Sequence, residues 1–411
     1  MIAVARRAHQ TSQELVSKSS HERTHALGRM ADIIRFRQDD ILEANTLDLE
    51  ASREMAVPEL ILEWLKLTPE RLQTVVQMLH RLQETPDPLR QISATPYQVE
   101  HCQTYGQLMP LGVVALVYES FPELGAIAAG LCIRTGNVLI LKGGTEASHS
   151  NQILTDVLQE ALTDAGLPDS CVQLLPSDQG DLTRELLALD QHINLVVPYG
   201  RASLVQQVLK QSIVPVLKTA IGNCYLYWAP SGRLDQVYNI IYDSHQSEPD
   251  PVNAVEKVLV PPTCEATLLK ELFHGLAEKG FSLRGDAQMV ERFPDLTLAD
   301  DSEWNHAYLQ KIVAFKTVSS LNRAIAWMNQ HSSGHANCLV TESYVESRTF
   351  ATGVNSAMVY INASPRFYRD PRQGSPIALG MSNHRGHRWG PITLETLTTV
   401  KRIAQGDSIY H

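Results

Sequence analysis

The sequence predicts an α/β fold built on a doubly wound parallel sheet, and three observations carry that prediction. Short, wholly apolar runs alternate with longer stretches of helical period. The runs lack the in–out alternation of a half-solvated sheet, as strands covered on both faces should. Apolar residues make up 44% of the 411, enough for a large core, while charged residues at 19% argue against wholesale disorder. A chain of this length exceeds one ordinary core, so two or three domains are expected.

Residues 1 to about 85 read as helices. Leu27, Met30, Ile34 and Ile41 recur at spacings near the 3.6-residue period and mark one apolar face. Thr68-Pro69-Glu70 is a helix start, with a capping hydroxyl and a proline just inside. Pro86, Pro88 and Pro96 break the pattern, and residues 91 to 109 look extended. Four apolar runs then read as buried strands: Val113 to Val117, Val138 to Leu141, Val172 to Leu175, and Leu195 to Val197. The stretch Ile153 to Ala165 between them is helical. A second αβ region is marked by Val255 to Val260, Ile312 to Phe315, Leu339-Val340 and Ala357 to Ile361, and Thr393 to Ile403 is β-rich.

The net charge is -10 with both signs scattered, whereas a nucleic-acid binder should show a basic stripe. The first twenty residues hold two arginines and no apolar core segment, so no secretory signal is expected. The most apolar stretch, Leu111 to Ile133, is interrupted by Glu119, Pro122 and Glu123, which a membrane span would not tolerate. Six cysteines are scattered without a CxxC pair, as expected of reduced thiols in a cytoplasmic protein.

The chain has neither a GxGxxG nor a GxxxxGK[ST] motif. The nearest substitute is the strand-to-helix turn Lys142-Gly143-Gly144-Thr145-Glu146. Its glycines allow close backbone approach, its helix-start amides can receive an anion, and Lys142 and Glu146 can bond ribose hydroxyls or a phosphate. The bland reading is a tight turn capped by Thr145. A second turn, Val197 to Ser203, places Arg201 at the carboxyl end of the sheet, where it is either a phosphate ligand or a solvated helix-start arginine.

Several stretches together resemble the γ-glutamyl phosphate reductase family of the aldehyde dehydrogenase superfamily. They include Pro110-Leu-Gly-Val, Gly136-Asn137 through Ala147, Gly222-Asn223-Cys224, Asn253-Ala254 with Glu256, Ser333-Gly334-His335, and Asn362-Ala363-Ser364 with Arg366-Phe367. Their order holds from about residue 3 to residue 408. The resemblance implies an aldehyde-dehydrogenase-like architecture in three parts. A Rossmann-type nucleotide-binding domain would span 1–90 and 110–247, an αβ catalytic-type domain 248–390, and a β oligomerisation flap 91–109 with 391–411. It also implies NADPH as reductant, a cysteine nucleophile, a role in proline synthesis and a homo-oligomer. A mixed oligomer with an active paralogue is the other assembly considered.

The departures cluster. Where the resembling motif reads R-P-S-V-C-N-A, this chain has Glu248-Pro249-Asp250-Pro251-Val252-Asn253-Ala254. Val252 stands in the cysteine position and carries no lone pair, while the acyl-transfer step needs a thiolate. The motif Y-E-A-R-P-N becomes Tyr118-Glu119-Ser120-Phe121-Pro122-Glu123, a glutamate becomes Lys218, and an arginine near the C-terminus becomes Trp389. With Phe121, Glu248, Lys218 and Trp389 changed together, loss of the family reaction is expected, leaving a binding, scaffolding or regulatory role. The alternatives are an active reductase and an enzyme of changed chemistry, with Lys218 as base or amine nucleophile or, more blandly, paired with Glu248. Cys224 reads as a small buried residue rather than a replacement nucleophile. His331, His335 and Cys338 have a loosely zinc-like spacing without an evident fourth ligand, so no metal is expected.

Overall fold

The computed structural model describes residues 1–95, 99, 102–177, 181–246, 249–371, 376–383 and 389–406. Two units result from its internal contacts. One comprises Met1–Lys218, Arg369–Leu379 and Ile392–His411, the other Thr219–Tyr368 and Gly380–Pro391.

The first unit opens with α1 (Ile2–Ser17), α2 (Ser20–Phe36), α3 (Gln38–Glu54), α4 (Glu59–Leu65) and α5 (Pro69–Glu84). A reciprocal capping box between Ser19 and Glu22 starts α2. Thr68 starts α5 by accepting from the Arg71 amide at 3.2 Å, with Pro69 in the first turn. Leu27, Met30 and Ile34 share the buried face of α2; Ile41 is equally buried but belongs to α3, because the helix breaks at Arg37.

Next come β1 (Ile92–Ala94), β2 (Cys102–Pro110), β3 (Val113–Tyr118), α6 (Glu123–Arg134), β4 (Val138–Lys142), α7 (Ser148–Asp164), β5 (Val172–Leu174), α8 (Asp181–Leu186), β6 (Leu195–Tyr199) and α9 (Ala202–Gln211). The apolar runs become a parallel sheet of order β5-β4-β3-β6. From β3 the chain steps outward to β4 and β5, then crosses back to set β6 on the other side of β3. That reversal puts the switch point at the carboxyl end of β3, where open α/β sheets bind ligands.

The second unit holds β7 (Cys224–Trp228), α10 (Leu234–Ser244), β8 (Val255–Val260), α11 (Ala266–Glu278), β9 (Ser282–Gly285), α12 (Ala287–Arg292), β10 (Thr297–Leu298), β11 (Ile312–Thr317), α13 (Leu321–His331), β12 (Ala336–Val340), α14 (Tyr344–Gly353), β13 (Met358–Ile361), β14 (Met381–Ser382) and β15 (Gly390–Pro391). Its parallel sheet runs β10-β9-β11-β8-β7-β12-β13. Grouping residues 110–247 by sequence places β7 and α10 with the nucleotide-binding part. In the structure they lie in the second unit, because β7 is hydrogen-bonded between β8 and β12 and α10 sends Val237 and Ile241 into the core with Leu269 and Leu272.

The chain then returns to the first unit as β16 (Thr398–Gly406), which pairs antiparallel with β2 from Thr398↔Pro110 to Gly406↔Cys102. With β1 on the other side of β2, both segments that look extended in the sequence meet in one three-stranded sheet. Among the described residues, no helix is long and apolar enough to cross a membrane.

Candidate functional site

In the first unit the candidate site is the turn after β4 together with residues 118–123 after β3. The glycine pair at 143–144 serves internal packing. A Cβ on Gly143 would collide with the Asn151 side chain, and one on Gly144 with the Glu146 carboxylate. The first amides of α7, expected to receive an anion, already have one. Buried Asp48 accepts from His149 N at 3.0 Å and Ser150 N at 2.8 Å. Lys142 is buried, and its ammonium donates to the carbonyl of Ser177 at 3.1 Å. Beside the turn lies a cavity of about 250 Å³, lined by Gly143, Ser148, Asn151, Gln152 and residues 174–177.

Between 118 and 123, five side chains reach out of the segment, each to a different partner. Tyr118 donates to Asn151 Oδ1 at 2.9 Å. Glu119 accepts from the backbone, Nε and Nη2 of Arg201 at 3.0–3.1 Å. The guanidinium expected to meet a phosphate is thus held by a carboxylate of its own unit. Ser120 has a positive φ of 49° and donates to Glu146 Oε1 twice, from its amide at 2.8 Å and its hydroxyl at 2.6 Å. Phe121 is wholly buried, stacked on Trp64 at 4.7 Å and edge-on to Tyr199 at 5.6 Å. Glu123 is buried and paired with Arg71. The arginine and asparagine of the resembling motif are here replaced by side chains with well-defined internal partners.

In the second unit the candidate site is the loop before β8. Val252 has no solvent exposure, and its carbonyl accepts from Gly222 N at 2.8 Å and His335 Nε2 at 2.7 Å. Asn253 Nδ2 donates to the carbonyl of Pro365 at 2.7 Å. Cys224 Sγ lies 3.4 Å from the same His335 Nε2. Burial raises that thiol well above its ordinary range and lowers His335 to about 4. The imidazole is therefore neutral at pH 7, and the nitrogen facing the sulfur spends its proton on the Val252 carbonyl. It cannot serve as a base for Cys224, which is an inert buried thiol.

Two buried charged neighbours belong to this site: Glu256, which the sequence offers only as part of the resembling motif, and Lys257, which it does not single out. Glu256 is fully buried and accepts from the amides of Asn223, Tyr308 and Leu309 at 2.8–2.9 Å, clamping the start of β7 to the loop before β11. Lys257 is fully buried over the Tyr308 ring at 3.5 Å and donates to the His306 carbonyl at 3.2 Å; burial pushes it down to about 8. A lysine inside the apolar run Val255 to Val260 was the available signal.

Of the remaining candidates, Lys218 is half-buried at the end of the first unit and Trp389 is 42% exposed. Glu248 lies outside the described residues. His331 stacks on Trp327 and bonds Asn305, while His335 faces Val252 and Cys224. No group of three His, Cys, Asp or Glu side chains among the described residues could hold a metal ion.

Two consecutive parallel-sheet units, a returning antiparallel flap and a buried loop before β8 define the class: this is an aldehyde-dehydrogenase-type α/β protein. The aldehyde dehydrogenase family model matches residues 1–221. A probable aldehyde dehydrogenase from Listeria monocytogenes shares the fold at 14% identity and TM-score 0.73, over 100% of this chain and 97% of that one. Within that class the chain belongs to the γ-glutamyl phosphate reductase family. It is 52% identical to γ-glutamyl phosphate reductase 2 of Synechocystis over 96% of this chain and 94% of that protein. It is 36% identical to the Gloeobacter violaceus γ-glutamyl phosphate reductase over 98% and 96%. The crystal structure of γ-glutamyl phosphate reductase from Thermotoga maritima superposes with TM-score 0.91 at 29% identity, covering 100% of this chain and 99% of that one.

Proposed function

We propose that the chain is a nicotinamide-dinucleotide-dependent reductase of γ-glutamyl phosphate, the activity its relatives are named for. The observation that carries this reading is the 52% identity to the Synechocystis protein across 96% of the chain, a likeness that spans both units. The loss of the family reaction expected from Val252 together with Phe121, Glu248, Lys218 and Trp389 finds no support in these relatives. A dinucleotide suits the first unit. The cavity beside β4 suits an adenine, and Glu146 has an oxygen that no described residue bonds. When bound, that cofactor supplies the reducing equivalents for a carbonyl. The chain's own residues orient it: Ser120 and Gly144 set the Glu146 carboxylate, and Asp48 holds the first turn of α7 in place. Reduction here does not pass through a thioester at position 252, because a valine side chain has no nucleophilic atom.

The buried Val252 and the inert Cys224 favour a second reading, in which the chain binds the family's ligands without turning them over and acts through its surfaces. Its assembly is then the point of function, in a homo-oligomer or beside a cysteine-bearing paralogue, with the outer edge of β16 available for strand addition.

One experiment separates the two. Phosphate-dependent oxidation of glutamate semialdehyde is followed with NAD and with NADP, with the Gloeobacter enzyme as control. Turnover within about tenfold of the control, insensitive to iodoacetamide, supports the first reading; a factor of ten is only about 1.4 kcal/mol of barrier. Absence of turnover together with saturable dinucleotide binding overturns it in favour of the second.

A further inference from the structure

Ser120 differs from the alanine of the resembling motif, and its hydroxyl makes the shortest bond to the Glu146 carboxylate, at 2.6 Å. The amide of the same residue bonds the same oxygen at 2.8 Å, from a backbone held at φ 49°. Both donors act on Oε1, and Ser120 is fully buried. Gly144 leaves the space into which the carboxylate folds, since a Cβ there would overlap both of its oxygens. Glu146 is therefore pinned by one oxygen, and no described residue bonds the other.

A carboxylate at the end of the second strand of a nucleotide-binding sheet accepts hydrogen bonds from ribose hydroxyls. A 2′-phosphate at that place meets it as a like charge, unless the carboxylate swings away or a free cation stands beside it. Pinning by Ser120 opposes the swing. The nearby cations are committed elsewhere: the Lys142 ammonium is buried against the Ser177 carbonyl, and the Arg201 guanidinium is bound by Glu119.

We propose that Ser120 is a positioning residue that makes this chain select dinucleotides with a free ribose 2′-hydroxyl over their 2′-phosphorylated counterparts, by fixing the Glu146 carboxylate toward the ribose. The inference rests on the reading that the chain binds a nicotinamide dinucleotide, and it reverses the NADPH preference that the resemblance implies.

The test is calorimetric affinity for NADH and NADPH at low and high salt, with the wild-type chain, Ser120→Ala, Ser120→Gly and Glu146→Gln. The glycine variant removes the hydroxyl at a positive φ without backbone strain, so the outcome does not depend on the alanine variant folding. The expected wild-type result is NADH tighter by about fivefold, the size of one like-charge repulsion near a wet surface, shrinking at high salt. Both serine variants should lower that ratio by about two- to threefold by tightening NADPH, and Glu146→Gln should abolish it. A purely structural role for Ser120 would instead weaken both nucleotides alike, and that result overturns the proposal. So does NADPH binding as tightly as NADH, while leaving the nucleotide reading intact. Binding of neither at millimolar concentration overturns both.

Discussion

Residues 118–123 of the first unit and residues 250–254 of the second both depart from the resembling motif, yet they depart differently. In the first segment the new side chains have acquired partners: Phe121 lies between Trp64 and Tyr199, Glu123 on Arg71, Ser120 on Glu146. In the second segment the side chains at 250, 251 and 252 all differ from the resembling motif, yet it is main-chain and Asn253 bonds that hold the loop. The carbonyl of Val252 still takes two hydrogen bonds, and Asn253 still ties the loop to Pro365. Main-chain bonds hold a loop whatever side chain it carries, whereas a buried polar or aromatic side chain requires its surroundings to be rebuilt around it. The second segment is therefore one substitution from carrying a buried thiol, whereas a cation in the first must displace side chains already partnered.

The largest effect should come from attacking the frame of the second segment. Glu256→Ala strands three buried amides and should cost about 3–5 kcal/mol, read as a fall in the urea midpoint. A loss below about 1 kcal/mol would mean that the clamp is redundant and the contrast overstated.

Next is the packed centre of the first segment. Phe121→Ala should cost about 3 kcal/mol, as for other buried aromatics. Phe121→Arg should cost at least as much, because it replaces two ring contacts with a buried guanidinium. An arginine tolerated there without loss in thermal denaturation would show that the anion-binding arrangement is still close at hand.

Lys257 gives a pH test in the second unit. Burial lowers it to about 8. Its folded value thus lies below the unfolded value near 10.4, so between the two the unfolded chain binds the extra proton and stability rises with pH. The gain across that window should be about 2–3 kcal/mol. Lys257→Met should flatten it, measured as denaturant midpoints from pH 7 to 10. His335, lowered to about 4, has the same sign in the acid range, so stability should fall as pH drops from about 6.5 toward 4.

Val252→Cys is expected to change stability by less than about 1.5 kcal/mol, since volume and burial are nearly kept. Positions 252 and 224 both lack solvent exposure, so with the frame intact mass spectrometry should find that thiol alkylated by iodoacetamide no faster than Cys224 in the native state. Faster alkylation would mean that the loop opens to expose position 252. Arg201→Ala should be smallest, within about 1 kcal/mol, because its pair with Glu119 is half-exposed. Dinucleotide affinity should stay within about twofold, and a loss beyond tenfold would restore Arg201 as a phosphate ligand.

Local pattern made much of the architecture legible. Val113 to Val117 and Val138 to Leu141 are β3 and β4, the Thr68-Pro69 start is the start of α5, and the extended segments are β2 and β16. These signals lie within a few residues of one another, where burial period and capping act directly. That Val252 carries no nucleophilic atom is legible from residue type alone.

What the sequence alone could not decide depends on which distant groups meet. Asp48 occupies the amides of α7 across about a hundred positions, Ser120 takes one oxygen of Glu146, Glu119 claims Arg201, and His335 gives its proton to Val252. Each of these turns a candidate ligand or base into an internal partner. The choice is made by the packing of the sheets, which brings these groups within about 3 Å, where a hydrogen bond outweighs what either residue type would do alone. Residue identity along this chain settles the family, the strand runs and the absence of a thiol at position 252. Tertiary structure settles which of the surviving polar groups still have a free side to offer a ligand.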